Sequence, residues 1–68
     1  MKEKVFRFIK QFITENGFSP TIREICKGTG IKSASTVFGY LQKLECEGYI
    51  KYQAFKSRTI VILKELEG

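Results

Sequence analysis

The 68-residue sequence predicts a small α+β domain, mainly helical, in which three helices precede a two-stranded β-hairpin. Apolar residues recur at helical spacing through residues 2–16 and again through residues 33–48. Near the C-terminus, residues 49–53 alternate apolar and polar side chains, and residues 59–63 are mostly β-branched. A chain of this length holds one domain with a small core, so these elements must pack together.

The first helix is predicted for residues 2–16. Its apolar side chains face one way and form a core stripe of Val5, Phe6, Ile9, Phe12 and Ile13. Phe8 lies about 100° from that stripe, so we expect it at the edge of the core. Asn16-Gly17 ends the helix, because glycine tolerates the left-handed backbone conformation of a helix C-cap.

An N-capping motif begins the second helix, after an extended link at residues 18–20 in which Pro20 disfavours helical backbone before it. The Thr21 hydroxyl is expected to accept from the amide of Glu24, whose carboxylate accepts from the amide of Thr21. The residues expected to face inward are Ile22, Ile25 and Cys26, and those expected to close the helix are Gly28 and Gly30. We interpret Cys26 as a small buried hydrophobe, since no histidine is present to activate its thiol.

A glycine-containing turn at residues 28–32 separates the short second helix from a longer third one. Ile31 is expected to reach the core from this turn. Short helix, turn and longer helix make the helix-turn-helix arrangement. Many helical hairpins share this spacing without binding DNA, so the pattern alone leaves both interpretations open.

The third helix is predicted between a cap at Ser33 and a stop at Gly48, and it has two different faces. One face is an apolar stripe of Val37, Tyr40, Leu41 and Leu44. The opposite face carries Ser35, Gly39, Gln42 and Cys46, flanked by Thr36, Phe38 and Lys43. A helix that faces only solvent more usually carries long charged side chains. The small polar residues in the N-terminal half instead allow close approach to another surface.

The two predicted strands, residues 49–53 and 59–63, are joined by a loop at residues 54–58. Attached to a helix-turn-helix, such a hairpin is a wing, and the predicted fold is a winged helix-turn-helix. The alternative is a hairpin that only covers the core. Basic residues in or beside its tip argue against that alternative, because a tip needs no positive charge to pack.

The composition favours a polyanionic partner and argues against catalysis. Twelve basic and seven acidic residues give a net charge of +5, and a small domain this basic favours nucleic acid. On charge alone, a basic but inert domain is the alternative. The sequence has no histidine, which removes the commonest general base and metal ligand. We therefore expect no enzyme, no cofactor, no metal site and no small-molecule substrate.

Cysteine spacing and hydropathy indicate a reduced protein outside the membrane. Cys26 and Cys46 are twenty residues apart, which is neither a zinc spacing nor a disulfide framework. Reduced thiols are the expectation for a cytosolic protein. Charges interrupt every apolar run at the N-terminus, so no signal peptide is expected. No stretch approaches the ~20 apolar residues of a membrane span.

Three segments carry the motifs of a known family. Residues 17–25, Gly-Phe-Ser-Pro-Thr-Ile-Arg-Glu-Ile, resemble the Gly-x-x-Pro-x-x-Arg-Glu-Ile segment that leads into the second helix of the LexA family. Residues 33–41, Ser-Ala-Ser-Thr-Val-Phe-Gly-Tyr-Leu, are similar to its recognition helix, which often contains Ser-Thr-Val-His-Gly-His-Leu in Gram-positive bacteria. Leu44-Glu45 and residues 48–50 resemble the pattern that precedes the family's wing. The resemblance covers residues 4–63.

The resemblance implies a transcriptional repressor of the SOS response that binds a pseudo-palindromic operator in double-stranded DNA as a dimer. In that family the recognition helix lies in the major groove, and the wing reaches the backbone and the minor groove. Carried over by position, the base-contacting residues are Ser33, Ser35, Thr36, Phe38 and Gly39. Phe38 and Tyr40 stand where histidines often stand, and a phenylalanine contacts a thymine methyl without hydrogen bonding.

Phosphate contacts are expected from the helices, the turn and the wing. The candidates are Arg23, Lys32, Gln42, Lys43, Lys51, Lys56 and Arg58. The alternative function is a winged-helix protein-interaction module without DNA binding, in which Phe38, Tyr52 and Phe55 form an exposed anchor patch. Such a module would bind a protein in a salt-insensitive way.

Full repressors of the LexA family also carry a self-cleaving domain with a Ser-Lys dyad, which this sequence lacks. The chain is either the DNA-binding piece of a longer protein or a free-standing regulator, and both remain open. Because full repressors dimerise mainly through that domain, we expect a weak or DNA-induced homodimer. We assign residues 1–63 to the DNA-binding domain and residues 64–68 to a polar tail or the start of a linker. The expected location is the bacterial cytoplasm, on the nucleoid when bound.

Overall fold

The computed structural model describes residues 2–53 and 56–65, which form three helices and a two-stranded antiparallel sheet. The helices are α1 (Lys2–Asn16), α2 (Ile22–Thr29) and α3 (Ala34–Cys46), and the strands are β1 (Ile50–Lys51) and β2 (Val61–Ile62). Ile50 pairs with Ile62, and the neighbouring residues pair in turn. Each helix contacts the other two, and α3 also contacts β1. The predicted α+β, mainly helical winged helix-turn-helix is confirmed.

The hydrophobic core draws side chains from every helix and from the hairpin. The buried apolar residues are at most 7% exposed, namely Val5, Phe6, Ile9, Ile25, Val37, Leu41, Leu44, Ile50 and Ile60. The stripe predicted on α3 is confirmed, with Tyr40 half-buried beside its buried members. On α1 the stripe weakens toward the C-terminus, where Phe12 and Ile13 are half-buried. Ile50 and Ile60 anchor the wing to the helical body.

The helix boundaries follow most of the predicted caps. At α2 both bonds of the capping motif form, from the Glu24 N–H to Thr21 Oγ1 at 3.1 Å and from the Thr21 N–H to Glu24 Oε1 at 2.8 Å. Gly17 and Gly48 follow α1 and α3 in the left-handed conformation, with φ angles of +80° and +82°. Ser33 occupies the N-cap position of α3, but its side chain makes no capping hydrogen bond.

Gly28 does not close α2 as predicted, because the helix continues to Thr29 and the left-handed cap is Gly30, with a φ of +78°. Gly28 lies instead against the ring of Phe8, which is half-buried at the edge of the core as expected. A Cβ atom built on Gly28 would lie within 2.6 Å of three ring carbons of Phe8. The absent side chain therefore makes room for this ring where α1 meets α2.

Both strands are shorter than the predicted 49–53 and 59–63, since the ladder has two residue pairs. Past Lys51 a side chain takes the place of the backbone partner. The Thr59 hydroxyl accepts a hydrogen bond from the Gln53 N–H at 2.9 Å and lies 3.2 Å from the Gln53 carbonyl oxygen. The alternation of apolar and polar residues cannot predict that a side chain replaces a backbone hydrogen-bond partner here.

The predicted loop at residues 54–58 and the predicted tail at residues 64–68 are described in part. Residues 54, 55 and 66–68 lie outside the described residues. Lys64 lies against the turn between α3 and β1, where its ammonium nitrogen is 4.7 Å from the centre of the Tyr49 ring.

Candidate nucleic-acid interface

The N-terminal half of α3 presents a surface of small, exposed side chains. It includes four of the predicted base-contacting residues, Ser33, Ser35, Thr36 and Gly39, all of which are exposed. Among the residues that the structure describes, none outside its own part of the helix would lie within 4 Å of a Cβ atom built on Gly39. The opposite side of α3 is buried in the core, which fixes the helix while leaving this face uncovered.

Phe38, the fifth predicted base-contacting residue, lies in a different setting. It is half-buried and packs against the hydrophobic core. Its ring also lines a groove between the start of α2, α3 and the wing, together with Ile22, Tyr52 and Ile60. The alternative function requires an exposed aromatic patch, whereas Phe38 and Tyr52 are both half-buried. The third member of that patch, Phe55, lies outside the described residues.

Exposed polar and cationic side chains project from the elements next to α3 and from α3 itself. All seven predicted phosphate-contacting residues are exposed, and Arg58 is described separately below. The other six are Arg23, Lys32, Gln42, Lys43, Lys51 and Lys56. Within the part of the chain that the structure describes, the five cations among them form no ion pair. Acidic side chains pair elsewhere, Glu47 with Lys2 and Glu65 with Lys10. The positive charge near α3 is therefore available to an external anion.

Arg58, the seventh predicted phosphate-contacting residue, has its guanidinium bound within the protein. Nη1 and Nη2 donate to the two carboxylate oxygens of Glu24 at 3.0 and 3.2 Å. Nη1 also donates to the Ser19 carbonyl oxygen at 3.1 Å, and Cζ lies 4.7 Å from the centre of the Phe18 ring. The structure thus places Arg58 as a link between the wing loop and the start of α2, whereas the sequence predicts that it contacts a phosphate.

Glu24 serves two partners with one carboxylate. The backbone amide of Thr21 and, second, the guanidinium of Arg58 hold the pKa of Glu24 below its ordinary value of 4.5. The carboxylate is therefore ionised at neutral pH, and the ion pair with Arg58 is intact there. Sequence reasoning missed this pair because its members are 34 residues apart, and no spacing rule connects the first turn of a helix with a distant loop.

Comparison with known proteins identifies the family. The family described as LexA DNA binding domain matches residues 2–59 of this chain. The chain belongs to this family. The resemblance expected from residues 17–25 and 33–41 is confirmed, and it now covers all three helices and the start of the wing.

Curated relatives of this LexA DNA-binding domain are longer proteins. The LexA repressor of Clostridium novyi is 52% identical over 62 residues, that of Moorella thermoacetica 52% over 59, and that of Carboxydothermus hydrogenoformans 45% over 64. These alignments cover 91%, 87% and 94% of this chain but only 30%, 29% and 31% of the relatives. The chain therefore spans less than a third of the length of the repressors it matches, and the shared part is the DNA-binding domain.

The described residues of this LexA DNA-binding domain form neither a metal cluster nor a membrane-spanning helix. Within residues 2–53 and 56–65, no three side chains of metal-ligating type lie together. Over the same ranges, no helix has the length and apolar character needed to cross a membrane. Cys26 is half-buried against the core and Cys46 is exposed, and neither is in a disulfide.

Proposed function

We propose that this LexA DNA-binding domain binds double-stranded DNA sequence-specifically, with α3 in the major groove and the wing on the backbone and minor groove. The observation that carries the proposal is the uncovered face of α3. Its small side chains let the helix backbone approach base edges, whereas long side chains would hold the helix away. A major groove about 12 Å wide admits one α-helix.

Base-edge contacts are assigned to Ser33, Ser35, Thr36 and Gly39. A hydroxyl group both donates and accepts, so serine and threonine match either kind of polar group on a base edge. Gly39 contributes by allowing close approach. Phe38 stands beside this face, and its exposed part is assigned to a thymine methyl group.

Phosphate contacts are assigned to Arg23, Lys32, Lys43, Lys51 and Lys56, with Gln42 as an uncharged hydrogen-bond donor. If about four to five cations neutralise phosphates, the slope of log K against log salt concentration is about −4 per protomer. Titrations of a duplex at several salt concentrations measure this slope. A flat dependence would exclude nucleic acid as the main partner.

We also propose that the chain acts as the DNA-binding part of a transcriptional repressor of the SOS response. The support is that the relatives named above are LexA repressors, which are 45–52% identical to this chain over their aligned residues. The proposed target is a pseudo-palindromic operator, and the proposed location is the bacterial cytoplasm. We propose that the domain by itself forms only a weak homodimer or one that DNA induces.

We assign residues 1–63 to the DNA-binding domain and residues 64–68 to a polar tail or the start of a linker. The first part of that tail stays close to the domain, because Glu65 forms an ion pair with Lys10 of α1.

Selection of bound sequences from a random duplex pool tests the main proposal. We expect enrichment of two related half-sites in pseudo-palindromic arrangement. The enriched duplex should bind at least about tenfold more tightly than a shuffled duplex at the same salt concentration. Equal affinity for the two duplexes would contradict sequence-specific binding. Absence of duplex binding, together with salt-insensitive binding to a protein, would favour the interaction module instead.

A further inference from the structure

We infer that Arg58 is a positioning residue: its contacts with Glu24, Ser19 and Phe18, here called the wing anchor, hold the wing against α2 in the geometry that DNA binding requires. This inference rests on the proposed DNA-binding function and deepens it. Arg58 would then affect DNA affinity by positioning the wing loop, and not by contacting a phosphate itself.

The contacts of the wing anchor hold the Arg58 guanidinium in one orientation. Two N–H groups of Arg58 meet the two oxygens of Glu24 in parallel, which is the arrangement that fixes the relative orientation of both groups. The Phe18 ring lies against the guanidinium from another direction. The side chains of Arg58 and Glu24 are 40% and 35% exposed, so part of each is shielded from water.

The backbone of Arg58 gives a second, independent indication. Among the described residues, Arg58 is the one non-glycine residue with a positive φ, at 57°. This left-handed conformation is unfavourable for a residue with a β-carbon. Such a conformation persists where surrounding contacts over-determine it. The wing anchor supplies those contacts, so the side chain of Arg58 determines the path of the loop.

The sheet itself gives the loop little support, because its ladder has two residue pairs. The link before α2 supports it from the side instead: the buried Ser19 hydroxyl accepts from the Ile60 N–H at 3.2 Å, and its carbonyl accepts from Arg58. Lys56 lies two residues before Arg58 in this loop. The wing anchor thus sets where the charge of Lys56 stands relative to α2 and α3.

The competing interpretation is that Arg58 leaves Glu24 and binds a phosphate directly. The two interpretations predict different changes in DNA affinity for Glu24→Gln. Glutamine preserves the capping motif at this position but removes the charge that holds Arg58. If Arg58 binds phosphate, removing its internal competitor leaves DNA affinity unchanged or raises it. If Arg58 positions the wing, the same substitution lowers DNA affinity.

The experiment is a set of anisotropy titrations of the 68-residue chain with the duplex selected from the random pool, at several salt concentrations. The variants are Glu24→Gln, Arg58→Gln, Arg58→Lys and the double Glu24→Gln/Arg58→Gln. Glu15→Gln is the matched control, because it removes an exposed acid of α1 that has no ion-pair partner among the described residues. Circular dichroism confirms that each variant is folded.

We expect Glu24→Gln and Arg58→Gln each to weaken binding by about threefold or more, with the double variant no weaker than the single ones, because they break one interaction. Arg58→Lys should be as weak as Arg58→Gln, since lysine keeps the charge but not the paired geometry. The slope of log K against log salt concentration should be the same in these variants as in the parent chain. The inference is overturned if Glu24→Gln binds as tightly as Glu15→Gln, or if Arg58→Gln reduces the slope by about 0.9 while Arg58→Lys does not.

A measurement without DNA separates failure of this inference from failure of the proposed function. The ¹⁵N–¹H heteronuclear NOE of Lys56 and Ser57 reports the order of the loop. We expect it to fall in Glu24→Gln and to remain at the parent value in Glu15→Gln. A parent chain that binds no duplex refutes the proposed function, whereas unchanged loop NOE values in Glu24→Gln refute the wing anchor whether or not DNA binds.

Discussion

The two helices of the helix-turn-helix each contain a glycine, and the two glycines serve opposite purposes. A side chain at Gly28 of α2 would overlap the ring of Phe8, whereas one at Gly39 of α3 would meet open space. Glycine within a helix costs about 0.8–1.0 kcal/mol relative to alanine. At Gly28 that cost is offset by the packing of α1 on α2. At Gly39 no packing contact among the described residues offsets that cost, which agrees with the proposed approach of this face to DNA.

The N-caps of the two helices also differ, and again α2 makes the internal contacts that α3 lacks. Thr21 makes both bonds of its capping motif with Glu24, whereas the side chain of Ser33 makes no capping bond. The start of α2 is therefore completed within the protein, and the start of α3 leaves a hydroxyl available. The positions at which α3 is less well stabilised than α2, Ser33 and Gly39, therefore lie on the face assigned to DNA.

The largest expected effect on stability is that of Gly28→Ala. The added Cβ would displace the Phe8 ring, and overpacking of this kind costs typically about 1–3 kcal/mol, against a gain in helix propensity of about 0.8–1.0 kcal/mol. We expect the free energy of unfolding, measured by urea denaturation, to fall by up to about 2 kcal/mol. Adding Phe8→Leu should recover part of the loss by making room. A stabilised Gly28→Ala variant would show that the two glycines do not differ as described.

Gly39→Leu should affect DNA binding and leave the fold intact. Leucine is a good helix former and meets open space at this position, but its side chain would hold α3 away from the bases. We expect operator affinity to fall at least about tenfold, or 1.4 kcal/mol, in titrations paired with thermal melts. If the variant bound as tightly as the parent, the outer face of α3 would not contact DNA.

Smaller effects on stability are expected from substituting the two N-cap residues, Thr21 of α2 and Ser33 of α3. Thr21→Ala should lower the free energy of unfolding by about 1 kcal/mol, the usual cost of a lost N-cap side chain. Ser33→Ala should change stability much less, since no capping bond is lost, but should weaken operator binding. Thermal melts and titrations of both variants test this. Equal losses of stability would indicate that Ser33 caps α3 in solution.

The smallest expected effect is that of Gly39→Ala, which should stabilise the fold by about 0.5–1 kcal/mol. A single methyl group leaves most of the approach to DNA open, so operator affinity should change little. Thermal melts and titrations of this variant, run beside Gly39→Leu, show whether size at position 39 decides binding. A loss of stability would mean that the α3 backbone is not regular there.

Features determined by near neighbours in the chain could be predicted from the sequence. The capping motif of Thr21 and Glu24, the stop at Gly48 and the two faces of α3 depend on residues within a few positions of each other. The outer face of α3 was predicted for the same reason, because helical periodicity places its members without reference to the rest of the fold.

Features that depend on distant contacts could not be predicted. The contact of Gly28 with Phe8 joins two helices, and the pair of Arg58 with Glu24 spans 34 residues. The groove that half-buries Phe38 exists only because the wing packs beside α2 and α3. Helical periodicity places Phe38 on the flank of α3, but it carries no information on what covers that flank.

The two-pair ladder of the wing has a consequence for the order of folding. A two-stranded hairpin is marginally stable at best by itself in water, and this one has few backbone pairs of its own. We therefore expect the wing to form after the helices have made a surface on which Ile50 and Ile60 can be buried. In the folded protein we expect the wing to open at a lower free energy than the helical body, because its strands share few backbone hydrogen bonds. Local opening of the wing would then leave the three helices folded.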